Sequence, residues 1–222
     1  MNILAFDTAT EACSAALSLD GEVRERYQIA PRQHAQLILG MMDELLAKAG
    51  IGLAQLDALA FGRGPGSFIG VRIATGVVQG IAFARDLPVV PVSTLAALAQ
   101  GVDQPRVLAA IDARMHEVYW AAYQRDDAGI MQLLGEEALT PADQVVLPAG
   151  IEPWYGAGTG WHDEGPQLAD HLPQVTEYAA DVFPHAACVA RLGEAGFRLG
   201  QAVAAEQAQP VYLRDQVAKK PQ

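Results

Sequence analysis

Short apolar runs separated by turn residues open the chain and predict a sheet followed by a helix. Strands are expected over 3–6, 14–19 and 23–29, and the Asp20-Gly21 pair is a hairpin signal between the last two. From 33 to 49 apolar residues recur at spacings of three and four, which predicts a helix ended by Gly50. The apolar positions of this helix are Leu37, Ile38, Met41, Met42, Leu45, Leu46 and Ala49.

The alternation of strands and helices continues to residue 100. A strand is expected over 56–61, followed by a glycine-rich turn over 62–67 and a second helix that runs to about residue 85. A further strand over 87–92 and a helix over 94–100 complete the pattern. The first half of the chain is therefore expected to be an α/β lobe.

The pattern then restarts. Residues 108–113 echo residues 3–8, because each is an apolar strand that ends in an aspartate, Asp7 or Asp112, and then turns into another strand. A duplication explains this echo, although any two buried strands resemble each other. Residues 140–178 are rich in Pro, Gly and Asp and are expected to be mostly loop, and a helix is expected over about 184–207. We place the boundary near 101–105, which gives lobes over 1–103 and 104–222.

Charge narrows the classes of partner. The 222 residues carry 26 acidic and 15 basic side chains, for a formal net charge of −11. Such a chain repels a phosphate backbone, so we expect no direct high-affinity nucleic-acid binding. Only three of the basic residues are lysines, and the twelve arginines leave room for a local basic patch. No signal peptide, membrane span or pair of neighbouring cysteines is recognised, so a cytoplasmic protein is expected.

Candidate catalytic groups are few. No two of the five histidines stand four residues apart, so we predict no metal site, and His34 is expected to be a polar residue near the start of the first helix. Ser67 lies outside a nucleophile elbow and is expected to cap the second helix. One hypothesis is left open, which is that a turn binds an anion or a nucleotide weakly. The residues of this turn are Asp7, Thr8, Gly64, Gly66 and Ser67.

The two long helices have more apolar surface than one sheet covers. The first is apolar over about half of its circumference, and the second has only a narrow polar stripe. Packing within one domain would also explain this, but we favour a protein–protein interface. Its predicted residues are Leu37, Ile38, Met41, Met42, Leu45, Ile73, Gly76, Val77, Gly80 and Ile81.

Residues 64–73, Gly-Pro-Gly-Ser-Phe-Ile-Gly-Val-Arg-Ile, resemble the GPGSFTGVRIG signature of the TsaB (YeaZ) family. Residues 3–10, 110–119 and 210–214 also match that family, so the resemblance covers nearly the whole chain. Ile69 departs from the usual threonine, which weakens an anion-binding role for the turn. The resemblance implies an α/β fold, specifically a duplicated actin-like ATPase fold of the sugar kinase, heat-shock chaperone and actin superfamily, with a reduced second lobe.

The resemblance also implies a function. Members of the family pair with TsaD, the catalytic paralogue that transfers threonylcarbamoyl to the adenosine beside the anticodon, and an ATPase, TsaE, joins them. TsaD-type chains hold a metal through a histidine pair, whereas residues 33–38 here contain His34 alone. The resemblance therefore implies a non-catalytic subunit, for which we expect no cofactor. From the surplus apolar surface of the two long helices we also expect a homodimer when the partner is absent. The rival hypothesis is a weak ATPase or phosphotransferase that uses Asp7, Asp112 and the glycine turns.

Overall fold

The computed structural model describes residues 1–150, 152–162 and 164–214. The first half forms a five-stranded sheet with the order β3-β2-β1-β4-β5. β1 is antiparallel to β2 and parallel to β4. The strands are β1 (Asn2–Asp7), β2 (Ala12–Leu19), β3 (Glu22–Ile29), β4 (Ala58–Gly62) and β5 (Val89–Val92), and the helices are α1 (His34–Ala49), α2 (Phe68–Arg85) and α3 (Thr94–Gln100).

The second half repeats this strand arrangement. Its sheet has the order β10-β9-β6-β7-β8, which is the order of the first sheet read from the other edge. β6 is antiparallel to β7 and parallel to β9, just as β1 is to β2 and β4. The strands are β6 (Arg106–Asp112), β7 (Glu117–Arg125), β8 (Met131–Pro141), β9 (Trp154–Ala157) and β10 (Val175–Ala179), with helices α4 (Gly165–His171) and α5 (Ala186–Arg198).

Both faces of β1 are buried, and its alternating side chains enter two different cores. Leu4 and Phe6 pack in the cluster that contains α1 and α2, whereas Ile3 and Ala5 pack in the cluster that contains α5. Successive side chains of a strand point to opposite faces, so a continuous apolar run is what a strand covered on both sides requires. The first sheet is therefore a central layer between α1 and α2 on one side and α5 on the other.

The last helix belongs with the first sheet, although its sequence position falls in the predicted second lobe. Its N-terminal amides are bonded to that sheet: Ala186 N–H donates to Ser14 Oγ at 2.9 Å, and Ala187 N–H donates to Glu25 Oε1 at 2.9 Å. A Cβ on Gly193 would lie 2.6 Å from Ala60 Cβ, so α5 packs very closely on β4. The division at 103/104 therefore separates the two sheets, but it assigns α5 to the second lobe although α5 packs on the first sheet. The last part of the predicted second lobe, residues 215–222, lies outside the described residues.

The second half departs from expectation in two places. Residues 140–178 are rich in loops as expected and also contain β9, α4 and most of β10, but the preceding β8 was not anticipated. The predicted helix over about 184–207 ends at Arg198. Gly200 follows with φ 72°, a left-handed conformation that a helix cannot continue through.

Candidate functional site

Asp7 ends β1 in a buried turn. Its Oδ1 accepts a hydrogen bond from Ala9 N–H at 3.0 Å, while Oδ2 has no hydrogen-bond partner among the described residues. Burial raises the pKa of this carboxyl from 3.8 to about 7, against a smaller lowering by the Ala9 hydrogen bond and by His185. Gly62 leaves the space for the carboxyl, since a Cβ there would lie 2.0 Å from Oδ2. Asp7 is therefore enclosed by protein and does not line a cleft.

The glycine turn is packed against the β1–β2 hairpin. A Cβ on Gly66 would lie 2.4 Å from Ala9 O, and a Cβ on Gly70 would lie 2.0 Å from Thr8 O, so neither position accommodates another residue without movement. Ser67 N–H donates to Ala9 O at 2.7 Å, and Thr8 Oγ1 donates to Gly70 O at 2.7 Å. The groups that would have to approach a phosphate are therefore bonded to each other.

The structure thus brings the residues of the predicted anion turn together, but they pack against and bond to one another instead of leaving a binding site. Ser67 Oγ accepts from Gly70 N–H at 3.4 Å and caps α2, in agreement with the predicted cap. Gly64 has φ 100°, and a Cβ there would lie 2.7 Å from Val211 O. Of the five predicted turn residues, Gly66 and Ser67 alone line the large cleft between the two sheets.

Asp112 ends β6 with the same local bond. Its Oδ1 accepts from Arg114 N–H at 2.7 Å, two residues ahead, as Asp7 accepts from Ala9. Unlike Asp7, it lines the cleft and forms an ion pair with the Arg114 guanidinium at 2.7 Å. The two aspartates are therefore equivalent in the strand pattern and different in environment.

His34 is buried, and its Nε2 lies 2.9 Å from Thr10 O, which fixes the end of the β1–β2 turn against α1. Within the described residues, no group of three or more His, Cys, Asp or Glu side chains is arranged to hold a metal ion. His34 therefore has a structural partner.

The predicted partner surface is divided by burial. Ile38, Met42 and Leu45 are buried in the core beneath α1, so the prediction that they face a partner was wrong. They occupy the side of the apolar arc that faces the sheet. The remaining predicted residues are partly or fully exposed, and these are Leu37, Met41, Ile73, Gly76, Val77, Gly80 and Ile81.

The outer face of α2 is the most apolar part of this surface. Gly76 and Gly80 have open space where a Cβ would be, and Phe83 is 85% exposed one turn further along. Among the described residues α2 is the one helix long and apolar enough to cross a membrane by length and composition, a test that core helices of soluble proteins also pass. Only six of its 18 residues are buried: Gly70, Val71, Ala74, Thr75, Val78 and Ala82.

Four cleft residues were not singled out from the sequence. Arg32, Arg72, Arg114 and Arg214 line the cleft between the sheets. The twelve arginines of the chain left room for a local basic patch. The spacing of these four along the sequence does not show that they line one cleft.

The two sheets, with the same strand order and directions, define an α/β protein built from a repeated strand arrangement. Residues 27–222 match the family model described as "TsaD: tRNA N6-adenosine threonylcarbamoyltransferase". TsaB proteins, each described as a tRNA threonylcarbamoyladenosine biosynthesis protein, match nearly the full length of the chain. The Escherichia coli protein is 45% identical over 99% of this chain and 97% of its own length. The Haemophilus influenzae protein is 39% identical over 99% and 96%.

A solved structure described as "YeaZ from Pseudomonas aeruginosa" gives the same result. It is 48% identical, has a TM-score of 0.89, and the match covers 96% of this chain and 99% of that one. The chain belongs to the TsaB (YeaZ) family of tRNA threonylcarbamoyladenosine biosynthesis proteins.

Proposed function

We propose that this chain is a non-catalytic subunit that binds and activates a TsaD-type catalytic paralogue, with a TsaE-type ATPase, in a cytoplasmic complex. That complex modifies the adenosine beside the anticodon of tRNA. The names of the relatives place them in threonylcarbamoyladenosine biosynthesis. The chain itself, with a net charge of −11, is poorly suited to bind tRNA strongly without a partner.

One observation carries the proposal. The outer face of α2 is apolar, and in the described residues no atom lies within 4 Å of a Cβ built on Gly76 or Gly80. Residues 205–209 flank this face, where Ala208 O accepts a hydrogen bond from Gln79 Nε2 at 2.9 Å, but they leave the two glycines open. A backbone can approach another helix closely at Gly76 and Gly80, which stand four residues apart on one face. Large exposed apolar patches mark interaction sites in soluble proteins. This face therefore suits the catalytic paralogue and, when that is absent, a second copy of the chain.

Two further features support a duplicated actin-like origin in which the nucleotide site has been lost. The sheets have the same strand order and directions, and Asp7 and Asp112 make the same turn bond at the ends of β1 and β6. Against the rival ATPase hypothesis, the carboxyl of Asp7 is enclosed and the Ala9 N–H of the hairpin is bonded to it. In its favour, Asp112 lines the cleft.

The experiment is to place a charge on the α2 face and follow assembly. Val77→Glu would bury an unpaired charge on association, so it should abolish both the homodimer and the complex with the catalytic paralogue. Val146→Glu is the matched control, because Val146 is 68% exposed and lies in the second half of the chain. Sedimentation reports assembly, circular dichroism reports the fold, and the yield of modified adenosine in the reconstituted system reports function.

Gly80→Leu gives a second and independent variant. The position is open and helical, so leucine should fit and raise helix stability, by about 1 kcal/mol relative to glycine, while its bulk blocks a close approach. If folded Val77→Glu and Gly80→Leu proteins both still form the two complexes, the surface is wrongly assigned. ATP turnover by the isolated chain would instead support the enzymatic rival.

A further inference from the structure

The cleft between the two sheets differs in charge from the rest of the molecule. It has a volume of about 1050 Å³ and is lined by segments of both halves and by residues 211–214. Four arginines line it, against three carboxylates, Glu11, Asp112 and Asp181. The whole chain has 15 basic and 26 acidic side chains, so the cleft reverses the overall balance. A basic cleft in an acidic protein attracts anions to one place.

Two of the four arginines are already neutralised. Arg114 forms an ion pair with Asp112 at 2.7 Å, and Arg214 forms one with Glu117 at 2.7 Å. The other two, Arg32 and Arg72, have no carboxylate within ion-pair distance in the described part of the chain. Of the other lining carboxylates, Glu11 lies 4.0 Å from Arg114, and Asp181 makes no ion pair with Arg32 or Arg72. The guanidinium groups that an anion can pair with are therefore those of Arg32 and Arg72.

Arg72 is held in place by aromatic rings. Its guanidinium carbon lies 3.4 Å from the centroid of the Phe68 ring and 5.3 Å from that of Tyr212. Stacking uses the flat face of a guanidinium and leaves its in-plane N–H groups free to bind an oxyanion bidentately. Arg72 is thus oriented before any ligand arrives, which lowers the entropy lost on binding.

Arg32 has an unusual backbone conformation, with φ 67°, in the Pro31-Arg32 turn before α1. This region is unfavourable for a non-glycine residue, so the surrounding turn must impose the conformation. The exposed side chain makes no hydrogen bond within the described residues. The turn places a second free guanidinium on the wall of the cleft.

The cleft does not have the features of a metal–nucleotide site. The N–H groups of Ala9, Ser67 and Gly70 are used in internal hydrogen bonds, and Asp7 is enclosed. Recognition of an anion therefore falls to side chains. We propose that the cleft binds a small organic anion, carrying phosphate or carboxylate groups, through Arg32 and Arg72 and without a metal ion.

The test uses the intact chain and isothermal titration with two probes, inorganic pyrophosphate and succinate, in the presence of EDTA. Binding of either probe is expected, and the stronger of the two identifies the anion class. A hydrogen bond to a charged group contributes about 1.5–3 kcal/mol, so Arg72→Gln and Arg32→Gln should each weaken binding by roughly 10- to 100-fold. Affinity should also fall as salt is raised.

Arg85→Gln is the matched control, because Arg85 also has no ion-pair partner in the described part of the chain but lies outside the lining of the cleft. Its affinity for the probe should equal that of the unmodified protein. The proposal is overturned if neither probe binds, if both cleft variants bind as well as the control, or if binding requires Mg²⁺. Arg72 and Arg85 both lie on α2, so sedimentation of each variant is run beside the titration. A variant that assembles normally but binds the probe weakly separates loss of the anion site from loss of the partner surface.

Discussion

Replacing Asp7 by asparagine should stabilise the protein at neutral and alkaline pH. The carboxyl is fully enclosed, and one of its oxygens has no hydrogen-bond partner in the described residues. Asparagine has nearly the same shape, so its side-chain oxygen can still accept from Ala9 N–H. Its amide nitrogen would replace the unpaired oxygen without any charge to desolvate.

The size of the stabilisation follows from the raised pKa of Asp7. Burial raises the pKa of Asp7 from 3.8 to about 7, so the folded state holds this proton more tightly than the unfolded state. The contribution of Asp7 to stability is therefore fully present below pH 3.8, falls as pH rises, and is lost above pH 7. At about 1.4 kcal/mol per pH unit, the total loss is on the order of 4 kcal/mol. This total already includes the hydrogen bond from Ala9 N–H, which lowers the pKa.

We expect Asp7→Asn to be about 2–4 kcal/mol more stable than the unmodified protein at pH 8, and about equal to it at pH 4. For a chain of this size, that corresponds to a melting temperature higher by roughly 5–10 °C at pH 8. Thermal and urea unfolding followed by circular dichroism from pH 4 to 8.5 gives the difference, in which the other titrating groups cancel. Asp112→Asn is the control, since it removes the ion pair with Arg114 and should not stabilise at any pH.

A stability difference that does not grow with pH would refute this reasoning, because it would show that Asp7 is ionised in the folded state. The variant also separates structure from chemistry. If Asp7→Asn folds and assembles normally but abolishes tRNA modification, the aspartate has a catalytic role.

Three other results are expected. Gly66→Ala should lower the free energy of unfolding by several kcal/mol or prevent folding, because its Cβ would lie 2.4 Å from Ala9 O. Gly76→Ala has open space for the Cβ and should raise the free energy of unfolding by up to about 1 kcal/mol. Thermal melts of the two variants measure both changes. The Glu25 hydrogen bond raises the pKa of His185 and so stabilises the fold at pH values below the ordinary histidine pKa, an effect lost as pH rises through the raised value. Glu25→Gln should lower that pKa in an NMR titration, and an unchanged value would contradict the assignment. Met42→Lys should unfold the protein, because Met42 is buried under α1, and a folded variant with normal circular dichroism would show that it faces outward.

The sequence pattern predicted the first half well because its elements are long and strongly periodic. α1, α2 and α3 lie where spacing and caps place them, and β1 is a continuous apolar run. β8 was missed because an edge strand with one solvated face carries a weak signal: Met131–Pro141 contains Gly135 and two glutamates, and few of its residues are buried. Short elements separated by Pro and Gly likewise concealed β9 and β10.

The candidate sites show what periodicity cannot resolve. An apolar arc covering half of α1 does not tell which edge packs on the sheet, and therefore Ile38 and Leu37 were given the same role although only Ile38 is fully buried. The destination of α5 was equally hidden, because helix periodicity gives a buried face but not its partner. The arginine pair of the cleft combines Arg32, in the turn before α1, with Arg72, on α2, and a local pattern does not bring such distant segments together.

The return of α5 to the first sheet also has a consequence for how the chain folds during synthesis. Ala186 bonds to Ser14 across 172 positions, so one face of the earliest strands stays uncovered until the last helix has left the ribosome. Contacts of such long range slow folding and leave apolar strands exposed in the meantime. The nascent chain should therefore depend on chaperones until nearly all of it has been made, and a product that stops after α3 should aggregate even though its own strands and helices are complete.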